Sequence, residues 1–221
     1  MSHGDAPLRL SGIPPVARGA ERRVYLHPLH ADRLLKVLDV RPPRRRLSLR
    51  RLSRAVLSSV DLRSSRAEQA EQARAFLRAP DDAGAPPFSR SYGYVETDLG
   101  WALEVERITL GNRALGPTLR TLAEEKALDA PLIALLNDVV GRIDRWNLRA
   151  SDLNPKNFVL GDRGGERQFV LVDGVGDIHA IPVRSWSDRL NRLANGHEFR
   201  RYASRLGLRW DDHRRSFAPA H

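Results

Sequence analysis

No cysteine occurs among the 221 residues, which excludes a disulfide framework, thiolate zinc sites and cysteine nucleophiles together. Lysine is almost as scarce. Of 37 basic residues only Lys36, Lys126 and Lys156 are lysines, so arginine carries nearly all the positive charge. No window reaches the ~18 consecutive apolar residues of a membrane-spanning helix. The start, MSHGDAPLRLSGIPPVARG, also lacks the basic flank and apolar run of a secretory signal. These absences lead to the expectation of a cytoplasmic, soluble protein. Internal repeats are absent too, which sets solenoids and propellers aside.

What is present suits a packed core. A hydrophobic fraction of 41% and a charged fraction of 29% are those of a globular chain, and the length allows one sizeable core. The formal charge of +10 creates a field that attracts polyanions: nucleic acid, anionic lipid or phosphorylated small molecules.

Along the chain, Arg22 to Leu26 and Leu34 to Val40 read as a hairpin behind a glycine turn. Residues 41 to 66 form a strongly basic insert with partly helical apolar spacing. Ala67 to Leu77 is rich in helix formers, and the run from Asp81 to Pro87 ends that helix in a loop. Tyr92 to Ile108 alternates about an Asp98-Leu99-Gly100 turn and predicts a second hairpin. Asp129 as N-cap, Pro131 in the first turn, and Leu132, Leu135, Leu136, Val139, Val140, Ile143 and Trp146 at i, i+3, i+4 spacing predict the clearest helix. Phe158 to Asp162 and Gln168 to Gly174 form a third hairpin around Gly164-Gly165. Ser185 to Leu206 predicts a closing helix that stops at Gly207. Strands first and helices later give an α+β class, with two lobes rather than repeated βαβ units.

The chemistry concentrates in Ser151-Asp152-Leu153-Asn154-Pro155-Lys156-Asn157, followed by a hairpin that ends in Val172-Asp173-Gly174. This arrangement resembles the catalytic loop and metal-binding motif of protein kinases and their small-molecule relatives, D-L-x-x-x-N and then a D-F-G type sequence. The residue types suit phosphoryl transfer. Asn157 and Asp173 offer the oxygen ligands that Mg²⁺ requires, Asp152 is placed to take a hydroxyl proton, and Lys156 brings a point charge to the transferring phosphate. In the same resemblance Lys36 grips the ATP phosphates, Gly19 retains one glycine of a phosphate-covering turn, and Glu71 (or Glu68) pairs with Lys36. The adenine is expected along the backbone from Glu104 through Glu106 to Ile108.

Gly19, Val24-Tyr25-Leu26-His27-Pro28, Lys36-Val37, Tyr92-Gly93-Tyr94-Val95-Glu96-Thr97-Asp98, Asn154-Pro155-Lys156-Asn157 and Asp173-Gly174-Val175-Gly176 together resemble the PhoP regulatory-network (YrbL-type) family. That family is a minimal kinase-like group of bacteria. The resemblance runs from about Gly19 to Trp186 and implies a protein-kinase-like two-lobed fold with a reduced C-terminal lobe. The expected organisation is a single domain over 1–221: a β-rich first lobe over about 8–107, a helical second lobe over about 108–210, and a tail at 211–221.

The chain departs from active protein kinases in several places. Ala150-Ser151 replace the histidine before Asp152, Gly174-Val175 stand for Phe-Gly, and no A-P-E motif follows. Little chain remains for a platform that docks protein substrates, so the expected acceptor is a small-molecule, sugar or glycolipid hydroxyl. Two other readings stay open: a pseudokinase that binds without turnover, and a basic nucleic-acid-binding regulator, which no groove-reading motif supports.

Blander roles compete for each residue. The Asp152 loop alone can be a helix-to-strand turn, and Lys36 can be an edge-strand lysine reaching water. Glu71 can lie on a solvated face, and Gly19 can serve an ordinary turn. The Arg41–Arg54 run is commonly a solvated face, its functional alternative being an anionic membrane surface. His27, His30 and Asp32 have loose metal-ligand spacing and read as a surface turn. Trp101, Trp146, Trp186 and Trp210 read as core or interface residues.

Overall fold

The structure is a computed structural model that describes residues 6–19, 22–38, 66–111, 114–177 and 187–220. The basic insert with its Arg41–Arg54 run, and Trp186, lie outside the described residues. The class is α+β, and the chain divides into two compact units, one of 1–48 with 90–107 and one of 49–89 with 108–221.

The first unit is a five-stranded antiparallel sheet in the order β1-β2-β3-β5-β4: β1 Ala17–Arg18, β2 Arg22–Leu26, β3 Arg33–Leu38, β4 Ser91–Thr97 and β5 Gly100–Glu106. Both expected hairpins form. The β4–β5 turn is held by Asp98, whose Oδ1 accepts the Leu10 N–H at 2.7 Å, and by the Thr97 hydroxyl, which accepts from Leu99 N–H at 3.1 Å. Leu10, Tyr25, Leu35, Val37 and Ala102 form its core. Trp101 departs from expectation: at 61% exposed it belongs to no core.

His27 departs as well. It is buried, and its Nδ1 accepts the backbone N–H of Leu29 at 3.1 Å and of His30 at 3.0 Å. Nδ1 is therefore unprotonated, and the ring proton sits on Nε2, 3.1 Å from Glu104 Oε1. The β2–β3 turn thus depends on a neutral histidine. His27, His30 and Glu104 could face one ion, but a metal on Nε2 would drive the proton to Nδ1, against two N–H donors. The cluster organises the turn and is a poor metal site.

Burial lowers the His27 pKa from its ordinary value, with the Glu104 carboxylate opposing. A group with a depressed cationic pKa binds its proton more readily when unfolded, so this contribution to stability is present above pH ~6.5 and is lost below it. The melting temperature should therefore fall from pH 7.5 to 5.5, and His27→Asn, which keeps an acceptor but cannot titrate, should flatten that slope. An unchanged slope in the variant would refute the assignment.

The second unit starts, among described residues, with a helix over residues 66–78, α1. The sequence places this helix with the strands, whereas it clusters with the helical unit. Then come β6 Thr109–Leu110, β7 Ala114–Leu115, α2 Leu119–Glu124, α3 Ala130–Arg145, the hairpin β8 Phe158–Arg163 with β9 Glu166–Leu171, α4 Asp188–Ala203, and the hairpin β10 Leu208–Asp211 with β11 Ser216–Pro219. Asp129 caps α3 by accepting the Leu132 N–H at 2.9 Å, and Ile133, Leu136, Val139, Val140 and Ile143 face the core. Trp146 is buried with its indole N–H on Ala83 O at 3.1 Å. The expected tail is instead the β10–β11 hairpin. Its Phe217 is buried, and with Trp210 it stacks on Phe199 of α4 at 5.8 and 5.2 Å. Among the described residues no helix is long and apolar enough to cross a membrane.

Candidate functional site

The Asp152 loop begins where α3 ends. Asn147 takes a positive φ of 43°, and the chain enters an extended run whose backbone is satisfied by side chains from two helices. From α1, Arg74 donates to Asn147 O at 2.7 Å, while Glu71 Oε1 accepts the Arg149 N–H at 2.8 Å. From α4, Asn191 and Asn195 both donate to Leu148 O, at 3.1 and 3.0 Å. A buried peptide run outside a helix or sheet needs such partners.

Glu71 is 5% exposed and pairs with Arg74, whose Nε donates to Oε2 at 2.8 Å. That hydrogen bond raises the Arg74 pKa above its ordinary value, against the cost of burial. Within the second unit both Glu71 oxygens are engaged, by Arg74 and by the loop backbone. Its role in the second unit is to clamp the approach to the loop.

The loop itself closes on the segment around Asp173. Gly174 O accepts the N–H of Ser151 at 2.8 Å and of Asp152 at 3.3 Å, and Asn157 O accepts Val172 N–H at 2.8 Å. Gly174 is required there. Its φ is +82°, and a Cβ would lie 2.3 Å from Asp152 O, a separation no side chain tolerates. Two residues on, a Cβ on Gly176 would lie 2.7 Å from the backbone of Ala67, so the strand exit and α1 touch backbone to backbone. The D-G-V-G sequence is thus read sterically by the loop on one side and by α1 on the other.

Asp152 Oδ1 accepts the Asn154 N–H at 3.2 Å. Asn157, 6% exposed, donates through Nδ2 to Asp152 O at 3.0 Å and to Asp152 Oδ2 at 3.1 Å. This network assigns the Asn157 amide and leaves its Oδ1 as the atom for a hard cation. Asp173 is exposed, with one oxygen accepting its neighbour's N–H, Gly174 N, at 2.9 Å. An amide oxygen and a carboxylate make an oxygen-only donor set, which fits Mg²⁺. Lys156 Nζ is 3.9 Å from Asp152 Oδ2, and both side chains are partly solvated. The second unit thus gathers Asp152, Lys156, Asn157 and Asp173 around one loop.

In the first unit, Lys36 is 8% exposed on β3, opposite Val24 of β2 and Leu103 of β5. It lies in an interior strand, which replaces the edge-lysine alternative. Gly19 closes the β1–β2 hairpin, its N–H donating to Arg22 O at 2.8 Å. A Cβ there would make only ordinary contact, 3.5 Å from that oxygen. Glu104 is held by His27 and by Arg33 NH1 at 3.1 Å, and Glu106 Oε2 accepts the Arg90 N–H at 3.0 Å. Both side chains have structural partners within the first unit.

The sequence reading missed the polar face of α4. Asn191 and Asn195 are each 1% exposed, and their i, i+4 spacing with Phe199 was the available signal.

The protein YrbL, described as uncharacterised, of Escherichia coli strain K12 and that of Shigella flexneri are each 27% identical over 186 residues, 81% of this chain and 79% of theirs. Among solved structures, a doubly substituted PknI kinase domain of Mycobacterium tuberculosis is similar with a TM-score of 0.46 and 19% identity, over 73% of this chain and 56% of that one. The unsubstituted PknI domain gives 0.43 and 17%, over 73% and 58%. The chain thus spans little more than half the length of these kinase domains. The model of the PhoP regulatory network protein YrbL matches residues 8–207, and the chain belongs to that family.

Proposed function

We propose that this chain is a minimal ATP- and Mg²⁺-dependent phosphotransferase that acts on the hydroxyl of a small molecule, a sugar or a lipid-linked sugar. The observation that carries the reading is the closed loop in which Asn157 is tied to both the carboxylate and the carbonyl of Asp152 while the same loop is stitched to the Asp173-Gly174 turn. Proton acceptor and cation ligands are thereby fixed relative to one another before any ligand arrives, which is where positioning catalysis gains most.

In the reaction, the acceptor oxygen bonds to the γ-phosphorus as the bond from that phosphorus to the β–γ bridging oxygen breaks. ADP leaves with the bond's electron pair, and the hydroxyl proton passes to Asp152. Lys156 offsets charge on the transferring group. Asn157 and Asp173 would hold Mg²⁺, which when bound neutralises phosphate charge. Lys36 is assigned the α- and β-phosphates by resemblance.

The test is thermal stabilisation by ATP with Mg²⁺, compared with Asp173→Ala and Lys36→Ala. A ligand at ~100 times its Kd should stabilise the wild type by about 2.7 kcal/mol, and each variant should lose most of that shift. No wild-type shift at millimolar ATP would overturn the nucleotide reading. A shift without ATP consumption across hydroxyl acceptors would favour a binding protein without turnover, the alternative motivated by the altered D-F-G positions.

A further inference from the structure

Beside the Asp152 loop, the second unit has a cavity of about 240 Å³ lined by Arg120, Glu124, Asn154, Pro155, Tyr202 and Arg205. Asn154 ties this cavity to the reacting carboxylate, because its N–H donates to Asp152 Oδ1 at 3.2 Å and its side-chain Nδ2 lies 3.4 Å from the Tyr202 hydroxyl.

Tyr202 is 5% exposed. Its oxygen accepts from Asn154 and from Arg201 NH2, which uses both lone pairs and leaves its own O–H to donate. The Arg201 pKa is raised, first by that hydrogen bond to Tyr202, against the cost of burial.

The lining charges are unequal. Arg120 meets Glu124 through Nε alone, at 2.7 Å, so that carboxylate is neutralised and the two terminal nitrogens of Arg120 remain. Arg205 lies 5.6 Å from the Tyr202 ring centroid and, among the described residues, pairs with no carboxylate. Two arginines and a buried tyrosine thus line one small space. Three donor groups match the three terminal oxygens of a phosphate monoester better than the two of a carboxylate. The volume is below the ~300–1,000 Å³ of drug-sized sites, which suits one sugar ring and not a peptide.

We infer that this cavity is the acceptor subsite, and that it takes a phosphorylated sugar or polyol whose phosphate is held by Arg120 and Arg205 while a free hydroxyl reaches Asp152. The inference rests on the phosphotransferase reading for its purpose, but not for its binding chemistry. A second phosphoryl group then joins a molecule that already carries one, so the reaction class upstream is a sugar or polyol phosphorylation.

The test uses the full chain and three probes, glucose 6-phosphate, glucose and inorganic phosphate, followed by thermal shift at fixed ionic strength. Glucose 6-phosphate should give a saturable shift, glucose none, and inorganic phosphate a weaker one. Arg120→Gln and Arg205→Gln should each weaken the glucose 6-phosphate response by about tenfold or more. Both should keep the ATP–Mg²⁺ shift, which separates this site from the nucleotide site.

Equal responses to glucose and glucose 6-phosphate would overturn the inference. So would equal responses to glucose 6-phosphate and inorganic phosphate, or a glucose 6-phosphate response undiminished in the doubly substituted chain. An arginine-dependent sugar-phosphate shift without any ATP shift would sustain the pocket and sink the phosphotransferase.

Discussion

Asp152→Ala should lower phosphoryl transfer by ~10²–10⁴-fold and leave the ATP–Mg²⁺ thermal shift almost intact. The separation of the two effects follows from the loop's wiring. Asn157 donates to the main-chain oxygen of residue 152 at 3.0 Å as well as to its carboxylate, so removing the side chain leaves the amide tethered and its Oδ1 still available to a cation. The Asn154 N–H loses its acceptor, Asp152 Oδ1, but in a half-buried loop water can replace it at little cost. Asp152→Asn is the sharper companion. It presents an amide N–H₂ to Asn157 Nδ2, donor against donor, unless it turns and abandons Asn154, so it should perturb cation binding more than alanine does. Single-turnover transfer and ATP titration on the two variants measure both effects. Turnover within threefold of wild type in Asp152→Ala would remove that carboxylate from the mechanism, and loss of ATP binding in the same variant would make it a ligand-site scaffold instead.

Lys156 acts differently. Its ion pair with Asp152 spans 3.9 Å between solvated groups, a contact of the kind that contributes little to stability.

How much of this was legible in the sequence depended on how local the deciding contacts are. The three hairpins and α3 are set by turn residues and caps within a few positions, such as Asp129 on Leu132, and these are readable from one chain. The loop motif was readable because Asp152 and Asn157 lie close in sequence and, with Asp173-Gly174 after a hairpin, form a recognisable pattern. Partner choice across long separations was not. Nothing in the spacing of α1 announces Arg149 as the residue that the Glu71 carboxylate meets. α4 hid its buried face for another reason. Leu190 and Leu193 are 39% and 61% exposed while Asn191 and Asn195 are interior, so hydrophobic periodicity pointed the wrong way around the helix. The final hairpin was obscured by the charged turn Asp211-Asp212-His213-Arg214-Arg215, which separates Leu208 and Trp210 from Phe217. His27 looked like a surface turn because its two backbone donors follow it so closely in sequence, and burial is decided by the sheet.

The largest stability effect should come from Glu71. Alanine there leaves Arg74, whose side chain is 15% exposed, without its carboxylate, and strips the Arg149 N–H of its acceptor. Breaking a buried pair from one side costs about 3–5 kcal/mol, a large part of the ~5–15 kcal/mol that holds a domain folded. Glu71→Gln keeps an oxygen for Arg149 and should cost clearly less. In Glu71→Ala/Arg74→Ala the Arg74 guanidinium is no longer stranded and only Arg149, whose NH1 lies 3.9 Å from Glu71 Oε2, loses a carboxylate, so the double variant should recover part of the loss, with a coupling of about 0.5–3 kcal/mol. Urea unfolding of the four proteins measures the cycle. Because Asn147 O is also an Arg74 acceptor, losing the clamp should also loosen the loop, and any transfer activity should fall in Glu71→Ala even where the fold survives. A Glu71→Ala chain within 1 kcal/mol of wild type would mean that α4, through Asn191 and Asn195, holds the loop without help from α1.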